Sequence, residues 1–363
     1  MGAARDDELQ PTASRRGEPR GHRTLHRPGA DARGSDRDAV TTPDTSLQAA
    51  RAADGAYRVA VIGYACLDSA TAIPVFHGLD ATSILQRPLV ASAPGAGGIA
   101  HLAAAVLGAG ARAEAVSWVG HDDGGRAWTE AITRAGGGVD GVVVSGTRSP
   151  SATLIEVGTG GTICLFDPGD CHTSALAPAQ TDTIRSAGSV LLTVSPRSIT
   201  AQILDAVNLD QSVVWAVKHD DDAYDEATVR RLLGRVDVVS FSRGERPWLT
   251  LDGVEPERLV RPGALVVETR GADGVAWSIG SPDGGERAGS IGADAVAVHD
   301  TTGAGDTFIG ALTALLAARG PAAELDDTTL TDLIQVASSA ATALLRSRIE
   351  PGGSAGAPQK ETH

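Results

Sequence analysis

Apolar residues gather in short runs from Tyr57 onward and are sparse before it. The first run, Tyr57-Arg58-Val59-Ala60-Val61-Ile62-Gly63, is continuous and closed by a glycine, which predicts a buried strand. Similar runs at Ala113–Val119, Ser189–Val194, Ser212–Val217, Val236–Phe241 and Ala264–Glu268 predict further strands. From Ala175 on, helical periodicity fills the gaps between them. Continuous apolar strands separated by helices predict a mostly parallel sheet covered on both faces, an α/β fold of three layers. A second pattern stands apart. Ser151–Val157 and Thr162–Phe166 alternate apolar and polar positions across a glycine-rich turn, the mark of a hairpin with one face wet or set over a ligand. Residues 70–93 carry β-branched stretches broken by Pro74 and Pro88, and part of them is expected to pair with that hairpin.

Residues 1–55 are rich in Arg, Asp, Gly, Pro, Thr and Ala, and too poor in apolar side chains to offset their ordering entropy. They read as a disordered tail, as do residues 354–363. The acidic residues Asp6, Asp7, Glu8, Asp31, Asp36 and Asp38 speak against a mitochondrial transit peptide. The formal charge of −14 argues against nucleic acid or an anionic membrane as a partner, so any phosphate must be met by a local site. Lysine occurs only at Lys218 and Lys360, which excludes a Gly-Lys-Ser/Thr phosphate loop. Cys66, Cys164 and Cys171 form neither an even set nor a Cys-x-x-Cys pair, and a reducing cytoplasm is expected. No run of about 18 apolar residues predicts a membrane span.

The candidate chemistry centres on Asp300-Thr301-Thr302-Gly303-Ala304-Gly305-Asp306-Thr307-Phe308. An apolar run leads in and a helical pattern, Ile309 to Arg319, leads out. Backbone N–H groups at a helix start lack intrahelical partners, and the helix dipole adds positive charge there. Gly303 and Gly305 clear the side chains from such a site, which suits phosphate. Asp306 is out of place beside an anion unless it accepts a proton from an attacking hydroxyl.

This stretch resembles the C-terminal signature of the ribokinase-like (PfkB) carbohydrate kinases. The resemblance spans residues 57–353 and implies a Rossmann-like three-layer kinase domain over 56–353. It also implies a small β lid from about 64–93 and 145–167, through which the chain would form a homodimer. Asp306 would be the catalytic base, with the Gly303, Ala304 and Gly305 amides as the anion hole. Gly63-Tyr-Ala-Cys-Leu-Asp68 matches the family's Gly-x-x-x-x-Asp element, so Asp68 would hold acceptor hydroxyls. Gly95-Ala-Gly97-Gly98-Ile-Ala-His101 resembles the N-terminal Gly-Gly signature, with Gly97 and Gly98 at the acceptor. It departs where a sugar-contacting Asn is usual, since His101 or Leu102 stands there, and Cys66 replaces a polar residue.

Ser242-Arg243-Gly244-Glu245 matches Asn-x-x-Glu with Ser242 for Asn, which implies Mg2+ served by Glu245 through water. Thr269-Arg270-Gly271-Ala272-Asp273-Gly274 resembles the turn that receives ATP, with Thr269, Gly271, Gly274 and Ser242 as contacts, and Lys218, the lysine of the folded part, is a further candidate for the ATP phosphates. The small-residue helix Ala337–Ala343 leaves room for adenine. Asp300, Thr302 and the turn near Pro351-Gly352 would hold a monovalent cation, K+ in this family. The implied activity is ATP-dependent phosphorylation of a hydroxymethyl group on a small sugar, with a nucleoside kinase or a non-catalytic ligand-binding protein as alternatives. Two competing readings are weaker. Gly95-Ala-Gly97-Gly-Ile-Ala100 fits a dinucleotide fingerprint but follows Pro94 rather than a strand. Asp220-Asp221-Asp222 is read as a solvated loop rather than a metal site.

Overall fold

A computed structural model describes residues 57–86, 95–158, 160–280, 287–294, 296 and 301–348. Asp300, Pro351-Gly352, both predicted tails and the end of the 64–93 stretch lie outside the described residues.

Thirteen strands are formed among the described residues. They are β1 (Arg58–Ile62), β2 (Ala65–Ile73), β3 (Gly95–Gly98), β4 (Arg112–Val119), β5 (Gly138–Val144), β6 (Ser151–Val157), β7 (Thr162–Asp167), β8 (Ser189–Leu192), β9 (Ser212–Ala216), β10 (Val238–Ser242), β11 (Leu265–Thr269), β12 (Val275–Ile279) and β13 (Arg287–Ile291). Nine of them make one sheet in the order β13-β12-β11-β10-β9-β8-β1-β4-β5. Pairing is parallel from β11 to β5, while β12 and β13 close one edge antiparallel.

The continuous apolar runs are explained by burial on both faces. Val59, Val61, Leu191, Val214 and Val267 point into one core, against the helices Ile99–Gly108, Ala304–Arg319 and Asp327–Ser347. Ala60, Ile62, Leu192, Trp215 and Val266 point into the other, with Ile184, Ile203 and Leu232 from the helices Pro178–Ser186, Arg197–Ala206 and Glu226–Leu233. Successive residues of one strand thus serve opposite cores, as the pleat requires. The chain leaves β1 toward β4 on one side and places β8 on the other. The β1/β8 junction is therefore a switch point, and the crevice at its carboxyl end is where open α/β sheets take ligands.

The alternating segments form a separate four-stranded sheet, β3-β2-β6-β7. β2 pairs with β6, so the 70–93 stretch does meet the hairpin, through residues 67–73. The glycines at 95–98 belong to this lid as its edge strand, antiparallel to β2, an arrangement the sequence reading missed. β5 also went unread, since Gly136-Gly137-Gly138 looks like a loop. The lid is mounted by hydrogen bonds at its root. Asp122 accepts from the Gly125 and Ser149 N–H groups at 2.7 and 2.8 Å and from the Ser149 hydroxyl at 2.7 Å. Asp170 accepts from the Thr147 and Arg148 N–H groups, both at 2.7 Å, and so ties the strand entering the lid to the one leaving it.

A cleft between the lid and the parallel sheet

Helix Ala304–Arg319 starts at Gly303, whose φ of 72° is left-handed and favours glycine. The Ala304 N–H turns inward to the Thr301 carbonyl at 3.2 Å, so of the three expected hole amides this one is already engaged. Asp306 lies in the first turn and is mostly buried. Its Oδ1 is 3.3 Å from Lys218 Nζ, which reaches in from the carboxyl end of β9. The charge of Asp306 holds the Lys218 ammonium above its usual range; burial opposes this and Glu245 adds to it. The repulsion expected between Asp306 and a phosphate is thus met by a cation.

Glu245 sits beyond Lys218 at the end of β10. Its Oε2 accepts from the Ser242 N–H at 2.7 Å and the Ser242 hydroxyl at 2.8 Å, and its Oε1 from the His219 N–H at 3.2 Å. Ser242 therefore orients Glu245. Thr269 ends β11, and the Gly271–Gly274 turn follows, closed by the Arg270 N–H on the Gly274 carbonyl at 2.8 Å. The Asp220–Asp222 loop is held by its own hydrogen bonds and by one from Trp248. Asp220 accepts from the Asp222 and Ala223 N–H groups at 2.9 and 2.8 Å, and Asp221 accepts from the Trp248 indole at 3.1 Å. Among the described residues no group of three or more His, Cys, Asp or Glu could hold a metal ion.

On the acceptor side, Asp68 projects from β2 over Gly97. A Cβ at residue 97 would lie 1.9 Å from Asp68 Oδ2, so any side chain there displaces the carboxylate. The Trp128 indole donates to the Gly97 carbonyl at 3.1 Å and fixes this edge. Burial, then the adjacent Asp68 charge and a hydrogen bond to Asp68, push the Cys66 thiol far up; Cys66 stays protonated as a donor to that carboxylate. His101 Nε2 stands 3.9 Å from Asp68 Oδ2, too far for a direct hydrogen bond and near enough for one hydroxyl to bridge them. The same ring packs on Gly303, with its Cγ 3.2 Å from where a Cβ would be. His101 thus lies between the Asp68 carboxylate and Gly303 at the helix start.

The sequence reading missed the wall facing these groups. The Tyr64 ring, just after β1, meets Phe166 of β7 at 5.0 Å and His172 at 4.8 Å between centroids. Burial, then the Asp220 charge, push the Tyr64 phenol up to about 12, and burial lowers His172 to about 4, so both stay neutral. Cys164 of β7 lies close enough to Asp68 and Lys218 to feel both charges, although burial contributes most to its raised thiol. β7 therefore overhangs the cleft. A separate cavity of 590 Å³ opens over Ala276, Ser278, Ala288 and Ser290. Its Arg246 and Arg270 are paired with Glu257 and Glu268, which leaves that wall closed on itself.

A mostly parallel sheet covered by helices on both faces, with a small β lid beside it, is the architecture, and comparison with known proteins assigns its family. Residues 57–349 match the model of the pfkB family of carbohydrate kinases, and the chain belongs to that family. It is a carbohydrate kinase of that family. It is similar in structure to ribokinase from Cryptococcus neoformans solved with ADP (TM-score 0.64, 20% identity, 80% of this chain and 94% of that one). It is also similar to ribokinase from Arabidopsis thaliana solved with ribose and ATP (0.63, 22%, 80% and 93%). A nucleoside kinase from Methanocaldococcus jannaschii is likewise similar (0.61, 15%, 80% and 92%). No curated protein matches the chain. Among the described residues no helix is long and apolar enough to cross a membrane.

Proposed function

We propose that the enzyme transfers the γ-phosphoryl group of ATP to a primary hydroxyl of a small sugar-like acceptor, with Asp306 as the base. The observation that carries this is the Asp306–Lys218 pair in the first turn of a helix capped by a left-handed glycine. Asp68 and His101 hold acceptor hydroxyls, and Gly97 leaves room for the carboxylate. The primary hydroxyl is held against Asp306, which takes its proton as the oxygen bonds to the γ-phosphorus. The bond to the β–γ bridging oxygen breaks, and ADP leaves. Gly303 and Gly305 N–H groups, joined by Lys218 on release from Asp306, stabilise the charge on the transferring group. Thr269, Gly271 and Gly274 line the nucleotide turn; the use of ATP is supported by the ADP and ATP complexes of the similar ribokinases.

The donor set suits Mg2+, which keeps most of its waters and needs one or two carboxylates besides phosphate. Glu245 would hold it through water, and the ion would neutralise phosphate charge. A monovalent cation at Asp300 and Thr302 is part of the same proposal. The outer face of the lid exposes Leu165, and the loop after β2 exposes Leu79 and Ile84, an apolar surface suited to a homodimer. Three unpaired thiols accord with a cytoplasmic location.

The test is ADP release across a panel of sugars, polyols and nucleosides. Turnover is expected with at least one primary alcohol. ATP binding with no ADP release across the panel would leave a regulatory, non-catalytic protein instead.

A further inference from the structure

The cavity over β11–β13 is left open by a short crossover. The crossovers from β8 to β9 and from β9 to β10 carry helices of 10 and 8 residues, Arg197–Ala206 and Glu226–Leu233. The one from β10 to β11 forms two α-helices of 4 residues each, Arg246–Leu249 and Pro256–Leu259. A single turn is too short to roof the strands beyond β11, and Ala288 and Ser290 stay exposed. The registers Val266↔Ser278↔Ala288 and Glu268↔Ala276↔Ser290 set two rows of side chains on this floor. Trp277, between the rows, points into the opposite core. Beyond β11 the floor thus carries nothing larger than serine. The opening measures 590 Å³, within the range of small-molecule sites.

Two groups in this cavity have no use within the fold. Ser278 is only 8% exposed, and its hydroxyl has no hydrogen-bond partner among the described residues. Polar groups so far in are normally paired, so this hydroxyl at the base of an opening is aimed at a guest. Arg258 lines the rim and pairs with no carboxylate among the described residues. The other charges are spoken for: Arg246 holds Glu255, Glu257 and Glu268, and Arg270 holds Glu268. Every carboxylate of the wall is engaged and one guanidinium is not, so the wall lacks an anion. The floor favours a flat body, because the Ala276 and Ala288 methyl groups offer apolar surface and no longer side chain stands up to interlock with it.

We propose that this cavity is a second ligand site, apart from the phosphoryl-transfer cleft, for a small planar carboxylic acid that bears a further polar group. Its ring lies on Ala276 and Ala288, its carboxylate meets Arg258, and its other polar atom meets the Ser278 hydroxyl. The consequence for the kinase rests on the nucleotide reading of the Thr269–Gly274 turn. Arg270 Nε donates to Glu268 Oε2 at 2.7 Å, and the Arg270 N–H closes that turn on the Gly274 carbonyl at 2.8 Å. One residue therefore ties the turn to the cavity wall. A ring seated on Ala276, the neighbour of Glu268 in its row, excludes water from the Arg270–Glu268 pair and strengthens it. Occupancy of the cavity thus steadies the turn and favours ATP.

Calorimetry on the full chain measures binding of three probes: 6-hydroxy-2-naphthoate, its neutral carboxamide, and 2-naphthoate. The hydroxy acid is expected to bind at one site with a submillimolar Kd, and the carboxamide roughly tenfold more weakly, for want of a charged partner to Arg258. Arg258→Gln should weaken the hydroxy acid by about 10–100-fold and leave the carboxamide unchanged. Ser278→Ala should weaken the hydroxy acid by about 2–10-fold and 2-naphthoate not at all. Ala288→Trp, at an exposed strand position, should fill the floor and abolish binding, with melting temperature as the check on all three variants. Saturating hydroxy acid should tighten the binding of a nonhydrolysable ATP analogue by roughly fivefold, and the analogue should tighten the acid by the same factor. No saturable binding of any probe in the millimolar range, or binding that survives Ala288→Trp, would overturn the site. A carboxamide that binds as well as the acid would overturn its anionic character. Analogue affinity that ignores the acid would overturn the link through Arg270. Failure of the analogue to bind at all would overturn the nucleotide reading and leave the cavity site standing, since probe binding is read without turnover.

Discussion

On the proposed reading the cleft has a phosphate half and an acceptor half, and the two are built from different materials. The phosphate half is backbone: Gly303 and Gly305 at the start of a helix buried in the core, with Asp306 and Lys218 beside them. The acceptor half is side chain: Asp68, Cys66, His101, Cys164 and Phe166, most of them on a lid sheet with one exposed face. Backbone geometry tolerates little change, because only certain residues allow it. Side-chain chemistry can be exchanged residue by residue while the sheet stays intact. Donor chemistry is therefore held fixed, and acceptor choice is free to vary on the same frame.

Substitutions sharpen this contrast, and the largest effect belongs to the phosphate half. Asp306→Asn should lower kcat by about 10²–10⁴-fold, the range for losing a general base. It should shift stability by no more than roughly 1 kcal/mol, since a first-turn Asp acts on the fold mainly through the helix dipole. Rapid-quench turnover and thermal melts measure the two; near wild-type turnover would remove Asp306 from the mechanism. Asp68→Ala should weaken acceptor binding by roughly 10–100-fold, the cost of losing hydrogen bonds to a charged group. Binding of an ATP analogue should hardly change. Equal losses for both ligands in calorimetry would mean that the halves are not separable.

Lys218→Gln is expected to fall between the halves, lowering kcat by about tenfold, with partial recovery in Lys218→Arg. If Lys218 serves only to neutralise Asp306 at rest, steady-state kinetics would instead show kcat unchanged. The smallest catalytic effect should come from the lid root. Burial alone would raise Asp122, but hydrogen bonds from the Ser149 N–H, the Ser149 hydroxyl and the Gly125 N–H prevail and hold its carboxyl below the usual range. A depressed native value means stability that is present above the unfolded carboxylate range and lost as pH falls through the native one. Asp122→Asn should therefore melt lower than wild type at pH 7, by an amount that shrinks below about pH 4. Parallel melting curves across that window check the sign.

The same division explains what could be read from the chain. The five body strands predicted after β1 all appear, because their apolar runs report burial on two faces. Gly303 and Asp306 were legible because the left-handed residue before a helix favours glycine and the first turn favours an acidic side chain. Asp68 and Gly97 were also read, though not the reason for Gly97, which is the carboxylate lying over it. The Tyr64, Cys164, Phe166 and His172 wall was not legible. Its members sit on separate elements, and only the folding of the lid over β1 brings them together. Cys66 reads in sequence as a lost polar group, yet in the structure it donates to Asp68.

Gly310 shows how the two halves are kept in reach of each other. It lies inside helix Ala304–Arg319, where a Cβ would come within 2.7 Å of the Ala105 Cβ and 2.8 Å of the Leu102 carbonyl oxygen. Those atoms belong to helix Ile99–Gly108, whose first turn carries His101. The missing methyl lets the two helices touch, and their adjoining ends bring His101 onto Gly303. The helix pair is in effect a ruler, and residue 310 is its zero mark. On the proposed mechanism, the gap that phosphate crosses is set about one turn beyond Asp306, by the thickness of one glycine. A displacement of about 1 Å can cost on the order of 10²-fold in rate. Gly310→Ala should accordingly lower kcat far more than it weakens the binding of either ligand, since each half would stay whole while the distance between them grew.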